Sequence, residues 1–273
     1  EAVEGEYDDS IYEKNLVYYS DSAKILMSLD PDDYNSSTDF HYYKDGGFVA
    51  GSRLATEYFM EPRNFLNEAG IFQFETLKFN DKFTVEAVEA VLKGSFMHNK
   101  YITYYDTTGA LHTMELTYGE TIFRAGREAN VNPCFLAAKI LNEVGSNGSG
   151  SVSGKNSSYP GIYNFYNIGS TDGAGAIERG LQWASANSGY SRPWTNPYKS
   201  ITGGALYIYE DYVDAGQFTG YLQRFNVNVD SDYNLYDHQY MTNLSGALVQ
   251  GYSSYNSYKE MGLLSHFQQH QQI

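Results

Sequence analysis

Glu143 is the residue whose placement points most directly to chemistry. At about 100° per residue, Leu136, Ile140 and Glu143 fall on one face of a helix running from Asn132 to Val144. A carboxyl group that continues an apolar stripe at the negative end of a helix dipole is placed as a general acid would be. It is partly out of water and able to hand a proton to a leaving oxygen. The next residues, Gly145-Ser146-Asn147-Gly148-Ser149-Gly150, form a loop with little side-chain bulk, which lets a substrate approach the backbone closely. Periodicity leaves a second arrangement open, with Glu143 turned outward or paired with Lys139 one turn earlier.

Two further segments suit a polyhydroxylated ligand. In Tyr163-Asn164-Phe165-Tyr166-Asn167-Ile168-Gly169, rings could stack on pyranose faces while amides bond hydroxyl or acetamido groups. The same alternation also fits a β-hairpin with aromatic cross-strand pairs. In Trp194-Thr195-Asn196-Pro197-Tyr198 a turn feeds a helix that runs on through Lys199-Ser200-Ile201-Thr202-Gly203-Gly204-Ala205, and Tyr198 could face a groove or the core.

The elements that must position these residues can be read from caps and periods. Helical spacing over Ser52–Phe79 is broken at Pro62, and Thr84 caps a short helix from Val85 to Leu92. Two helices fill Tyr118–Val144, the second starting at Asn132-Pro133 and stopped by Gly145. The low-charge stretch Ser146–Thr171 reads as a functional loop or a small β-lobe. Helical pattern returns over Gly175–Ala186 and Ser200–Val213. Asp30–Asn35 reads as a turn, since its fifth and twelfth positions, Tyr34 and His41, do not suit a calcium loop. The expected division is an acidic, Tyr-rich N-terminal extension over 1–50, a catalytic domain over 51–250, and a Tyr/Ser/Gln-rich tail of doubtful order over 251–273.

The whole chain sets bounds. Its 273 residues carry 18 Lys+Arg against 33 Asp+Glu, a formal charge of −15, which argues against a binder of nucleic-acid backbone. Aromatics make up 16% of the residues, too many for a disordered chain. No apolar run approaches the roughly 20 residues that span a bilayer. Cys134 is the only cysteine and lies inside an apolar helical pattern, so it reads as a structural thiol. His266 and His270 are one turn apart but lack the Glu of His-Glu-x-x-His, so no metal is expected. The first residue, Glu1, suggests an excised piece of a longer protein or a mature form.

Three of these segments, in this order, resemble the bacterial endo-β-N-acetylglucosaminidases of glycoside hydrolase family 73, the Gram-positive autolysins. They are Asn132–Gly150, Tyr163–Gly169 and Trp194–Ala205. Two more share the likeness: Glu61–Glu68 with Ile71–Glu75 upstream, and His238–Asn243 downstream. The resemblance covers roughly residues 50–245. It implies an α+β, mainly helical, lysozyme-like fold with a small β-lobe flanking the groove and an N-terminal helical extension. It implies cleavage of the β-1,4 bond from N-acetylglucosamine to N-acetylmuramic acid in peptidoglycan, with Glu143 as general acid and Tyr198 at the active site. Tyr163, Asn164, Phe165, Tyr166, Asn167, Asp172 and Trp194 become substrate-binding candidates.

The second carboxylate is Glu178 by family spacing, Asp172 by proximity to the Tyr/Asn segment, or none. In the last case the substrate's own 2-acetamido oxygen attacks the anomeric carbon. Glu178 beside Arg179 also reads as a solvated helix residue. A muramidase or lytic transglycosylase on the same scaffold, and a non-catalytic wall-binding module, are the competing readings. No cofactor is implied. The expected partner is the peptidoglycan glycan strand, met by a monomeric, secreted, wall-associated module. Its acidic charge would repel an anionic wall, so targeting is expected of other modules in a longer protein.

Overall fold

The computed structural model describes residues 15–18, 48–170, 174–240, 243–260, 262 and 264. In chain order its elements are β1 (Leu16–Tyr18), β2 (Phe48–Ala50), α1 (Arg53–Met60), α2 (Val85–Val91), β3 (Tyr101–Tyr105) and β4 (Leu111–Thr117). These are followed by α3 (Tyr118–Glu128), α4 (Pro133–Val144), α5 (Ala176–Ser185), α6 (Pro197–Ile208), α7 (Gly220–Phe225) and α8 (Gly246–Glu260). The chain divides into two compact units, one from Thr76–Ala215 and the other from Glu1–Glu75 with Gly216–Ile273.

In the unit spanning Thr76–Ala215, α2, α3, α4 and α6 each start where a side chain can accept from the helix's unsatisfied N–H groups, while α5 starts at Gly175 without one. Thr84 caps α2, Asn132 caps α4 and Asn196 caps α6, with Pro at the first turn of the last two. Thr117 and Glu120 form a reciprocal capping box on α3. Helix α4 packs against α3 and α2, and α3 against α6. That burial needs apolar residues on several faces of α4, which explains why Leu136, Ala137 and Ile140 are all fully buried.

The unit's β-structure is the antiparallel hairpin β3–β4. Its strands are rich in Tyr and Thr, which favour extended backbone, and Asp106 accepts from Thr108 and Ala110 to close the turn. The loop Ser146–Thr171 carries no strand among its described residues. It has one 3-10 turn, Gly150–Val152, and otherwise turns and bends, so the loop reading holds and the β-lobe lies elsewhere. Likewise Tyr163–Gly169 forms turns and not a hairpin.

In the other unit β1 pairs antiparallel with β2, and α8 packs on the 3-10 turn Gly70–Phe74. The helical spacing over Ser52–Phe79 resolves into α1 and the 3-10 turns Pro62–Phe65 and Gly70–Phe74. Buried Arg224 ties the unit together by donating to Asn15 Oδ1, Gln239 Oε1 and the Asn243 carbonyl. The described part of 1–50 is Asn15 followed by the strands β1 and β2, with helix beginning only at Arg53. Residues 251–260, expected as a tail of doubtful order, are the last ten residues of α8. Tyr255 and Tyr258 on that helix donate to Glu68 and Glu75. The turn at Asp30–Asn35 and the pair His266/His270 lie outside the described residues.

Candidate active site

Glu143 occupies the last turn of α4, and Gly145 ends the helix with φ of 72°, a backbone that glycine adopts without strain. The Glu143 side chain is 29% exposed, so it reaches solvent from the end of an otherwise buried stripe. Lys139, one turn earlier, places Nζ 3.8 Å from Glu143 Oε1, and its own side chain is only 11% exposed. Burial pushes the Lys139 ammonium down to about 8, with the Glu143 carboxylate opposing the shift. The pairing that periodicity left open is therefore present, but it lies on the partly open end of α4.

The segment 163–169 is the hub that fixes this end of α4. Asn164 donates to the carbonyls of Ile168 and Gly180, which ties the segment to α5. The Phe165 N–H donates to Ser200 Oγ and Tyr166 Oη donates to the Ile201 carbonyl, which ties it to α6. Asn167 Nδ2 donates to the Glu143 carbonyl at 2.8 Å and approaches Glu143 Oε2 at 3.4 Å. Tyr163 Oη donates to the Tyr105 carbonyl and accepts from the Tyr105 N–H, which anchors the β3–β4 hairpin.

This architecture corrects the expected stacking platform. Tyr163, Phe165, Tyr166 and Trp194 are at most 3% exposed, and Asn164 is fully buried. Tyr166 and Trp194 pack against α6, where Gly204 and Gly203 leave room that a Cβ would fill. Trp194 donates its indole N–H to the Tyr190 carbonyl. The rings therefore support the site from beneath and offer no open face to a sugar, because the hub must be packed to hold three helices.

Of the other candidates, Tyr198 is half-buried in the first turn of α6, the helix whose Ser200 and Ile201 bond Phe165 and Tyr166. Glu178 is exposed in the first turn of α5, where it accepts from Asn156 Nδ2 at 3.4 Å. Asp172 lies outside the described residues. Cys134 is buried in α4 and is a packing residue.

The hairpin residues escaped the sequence reading. Tyr104 and Tyr105 are partly exposed; Tyr104 stacks on His112, and Lys155 Nζ lies 4.6 Å from the Tyr105 ring centre. The run of aromatic and β-branched residues at Tyr101–Tyr105, followed by Asp106-Thr107-Thr108-Gly109, was the available signal. Among the described residues, no group of three or more His, Cys, Asp or Glu side chains could hold a metal ion. No described helix is long and apolar enough to cross a membrane.

No family model matches the chain. It is homologous to the bifunctional autolysin of Staphylococcus epidermidis, with 28% identity over 212 residues. That alignment takes in 74% of this chain and 14% of the autolysin, so the chain spans about one seventh of its relative's length. The fold is shared with the solved S. aureus glucosaminidase B, at a TM-score of 0.57 and 21% identity, covering 81% of this chain and 78% of that one. It is shared also with S. aureus autolysin E, solved as a catalytic Glu-to-Ala mutant with the disaccharide NAG-NAM. There the TM-score is 0.51 at 22% identity, covering 80% and 83%. These likenesses establish an α+β, lysozyme-like, autolysin-type fold.

Proposed function

We propose that this chain is the glucosaminidase domain of a longer, modular autolysin of the family 73 type, acting on peptidoglycan outside the cell. The homology to a bifunctional autolysin supports the reading. So does the shared fold with a glucosaminidase and with an autolysin that binds NAG-NAM. The observation that carries it to a mechanism is the placement of Glu143. It is a single partly exposed carboxyl at the end of a buried helix, followed by a glycine-rich loop and held by Asn167.

In the proposed reaction Glu143 donates a proton to the glycosidic oxygen as the C1–O bond from N-acetylglucosamine to N-acetylmuramic acid breaks. The carbonyl oxygen of the substrate's 2-acetamido group forms a bond to C1 and disperses the developing positive charge. Water then opens that ring, giving its proton back to Glu143, and the anomeric configuration is retained. Glu178 and Asp172 are the alternative bases for an inverting path, and Tyr198 lines the site from α6. The sugar-facing surfaces are assigned to partly exposed groups, Tyr104 and Tyr105 of the hairpin among them, with Asn164 and the four buried rings beneath.

Glu143→Gln tests the assignment. The variant should bind soluble glycan strands as the wild type does, while release of reducing ends falls by at least about 100-fold, the lower range for loss of a general acid. Undiminished release by the variant would remove Glu143 from the mechanism. Binding without release by the wild type would favour a wall-binding module.

A further inference from the structure

Asn167, a substrate-binding candidate in the sequence, has its side chain amide aimed at the last turn of α4. The Glu143 carbonyl can only accept a hydrogen bond, so the amide atom 2.8 Å from it must be the donor Nδ2, and this fixes the orientation of the amide. The same nitrogen is 3.4 Å from Glu143 Oε2, a weak contact that shortens easily if the carboxyl rotates. Asn167 Oδ1 is buried and has no hydrogen-bond partner among the described residues, a placement that costs about 1–3 kcal/mol. The backbone adds to the cost: φ is 49°, in the left-handed region that glycine takes freely and asparagine tolerates. What asparagine supplies over glycine at this position is an amide donor aimed at the last turn of α4. On the other oxygen of the carboxyl, Oε1, the nearby cation is Lys139 at 3.8 Å.

We infer that Asn167 is a positioning residue for Glu143: its amide beside Oε2, with the Lys139 ammonium on the side of Oε1, holds the carboxyl in one rotation. This rests on the glucosaminidase reading and deepens it. A carboxyl group transfers a proton efficiently only from the oxygen that faces the scissile bond. Free rotation of Glu143 would place the proton on either oxygen and spend much of the time in unproductive poses. Through the Glu143 carbonyl, Asn167 also fixes the end of the helix, so one side chain sets both the position and the rotation of the acid.

The test uses Asn167→Gly, which relaxes the backbone and removes the amide, and Asn167→Asp, which keeps the shape and removes the donor. Steady-state kinetics on soluble glycan strands should show kcat reduced by up to about 100-fold in both, the scale of a misplaced catalytic group. KM should stay within about twofold. Affinity for a NAG–NAM disaccharide, measured by calorimetry, should be the same for Glu143→Gln and for Glu143→Gln combined with Asn167→Gly. A raised KM with kcat retained, or disaccharide affinity lost in the double variant, would make Asn167 a sugar contact and overturn the inference. Full activity in Asn167→Gly would also overturn it, whether or not the Asp variant folds. A wild type that releases no reducing ends would count against the glucosaminidase reading itself.

Discussion

Lys139 and Glu143 put a buried cation and the proposed acid one helical turn apart, and the cation has its own pH signature. The Lys139 ammonium is pushed from the ordinary 10.5 down to about 8 because little water reaches it. The folded state therefore bears the full penalty of the buried charge below about pH 8, and the penalty is relieved as pH rises through 8 towards 10.5. In that window the unfolded chain binds a proton that the folded chain has released, so stability rises with pH. Urea unfolding of wild type and Lys139→Met at pH 7 and pH 9.5 checks this. The wild type should gain stability relative to the variant on going to the higher pH, and an unchanged difference would mean that Lys139 is solvated. The i−4 spacing made this pairing visible in the sequence, but the low exposure of Lys139 is a tertiary property that spacing along one helix does not carry.

Among the elements, the hub 163–169 and the hairpin it anchors determine the site. A single hydroxyl, Tyr163 Oη, serves both backbone groups of Tyr105. Tyr163→Phe leaves the ring packed and removes both bonds. It should cost about 1–3 kcal/mol, the range for unsatisfied buried polar groups. Hydrogen exchange at the Tyr105 amide should quicken while the exchange of α3 and α4 amides follows global stability alone; protection retained at Tyr105 would show that the hairpin holds without the tether.

The helices around the hub were legible because their caps are local: Thr84, Asn132 with Pro133, and Gly145 all act within one turn. Tyr163, Phe165, Tyr166 and Trp194 were legible as a set but not in orientation. Alternating rings and amides look the same whether the rings face a ligand or the core. What decides it for Tyr166 and Trp194 is the close approach of α6 at Gly204 and Gly203, which periodicity within segment 163–169 does not encode.

At the scale of the whole molecule, the two units have separate pH responses. In the unit that contains α8, Glu75 accepts from Tyr258 Oη, and burial pushes its carboxyl up from 4.5 to about 7, with the hydrogen bond opposing. The folded state holds this proton more tightly than the unfolded chain, so the contribution is full below pH 4.5 and is lost as pH rises through about 7. Glu75→Gln should flatten the stability profile over that interval in urea unfolding at pH 5 and pH 7.5; a profile as steep as wild type would place Glu75 in water. The docking of α8 was hidden in the sequence because its Tyr/Ser/Gln composition lacks an apolar stripe. The tyrosines supply buried rings with hydroxyls that reach Glu68 and Glu75.

Which bond the molecule cuts, and with which residue, can be read in one experiment. Purified peptidoglycan digested with the wild-type chain and with Glu143→Gln, then reduced with borohydride and analysed by mass spectrometry, reads both at once. Reduced N-acetylglucosamine is expected at the new chain ends, present with wild type and missing with the variant. Reduced N-acetylmuramic acid or an anhydro sugar at those ends would contradict that expectation, leaving the fold in place and assigning the site to a muramidase or a lytic transglycosylase.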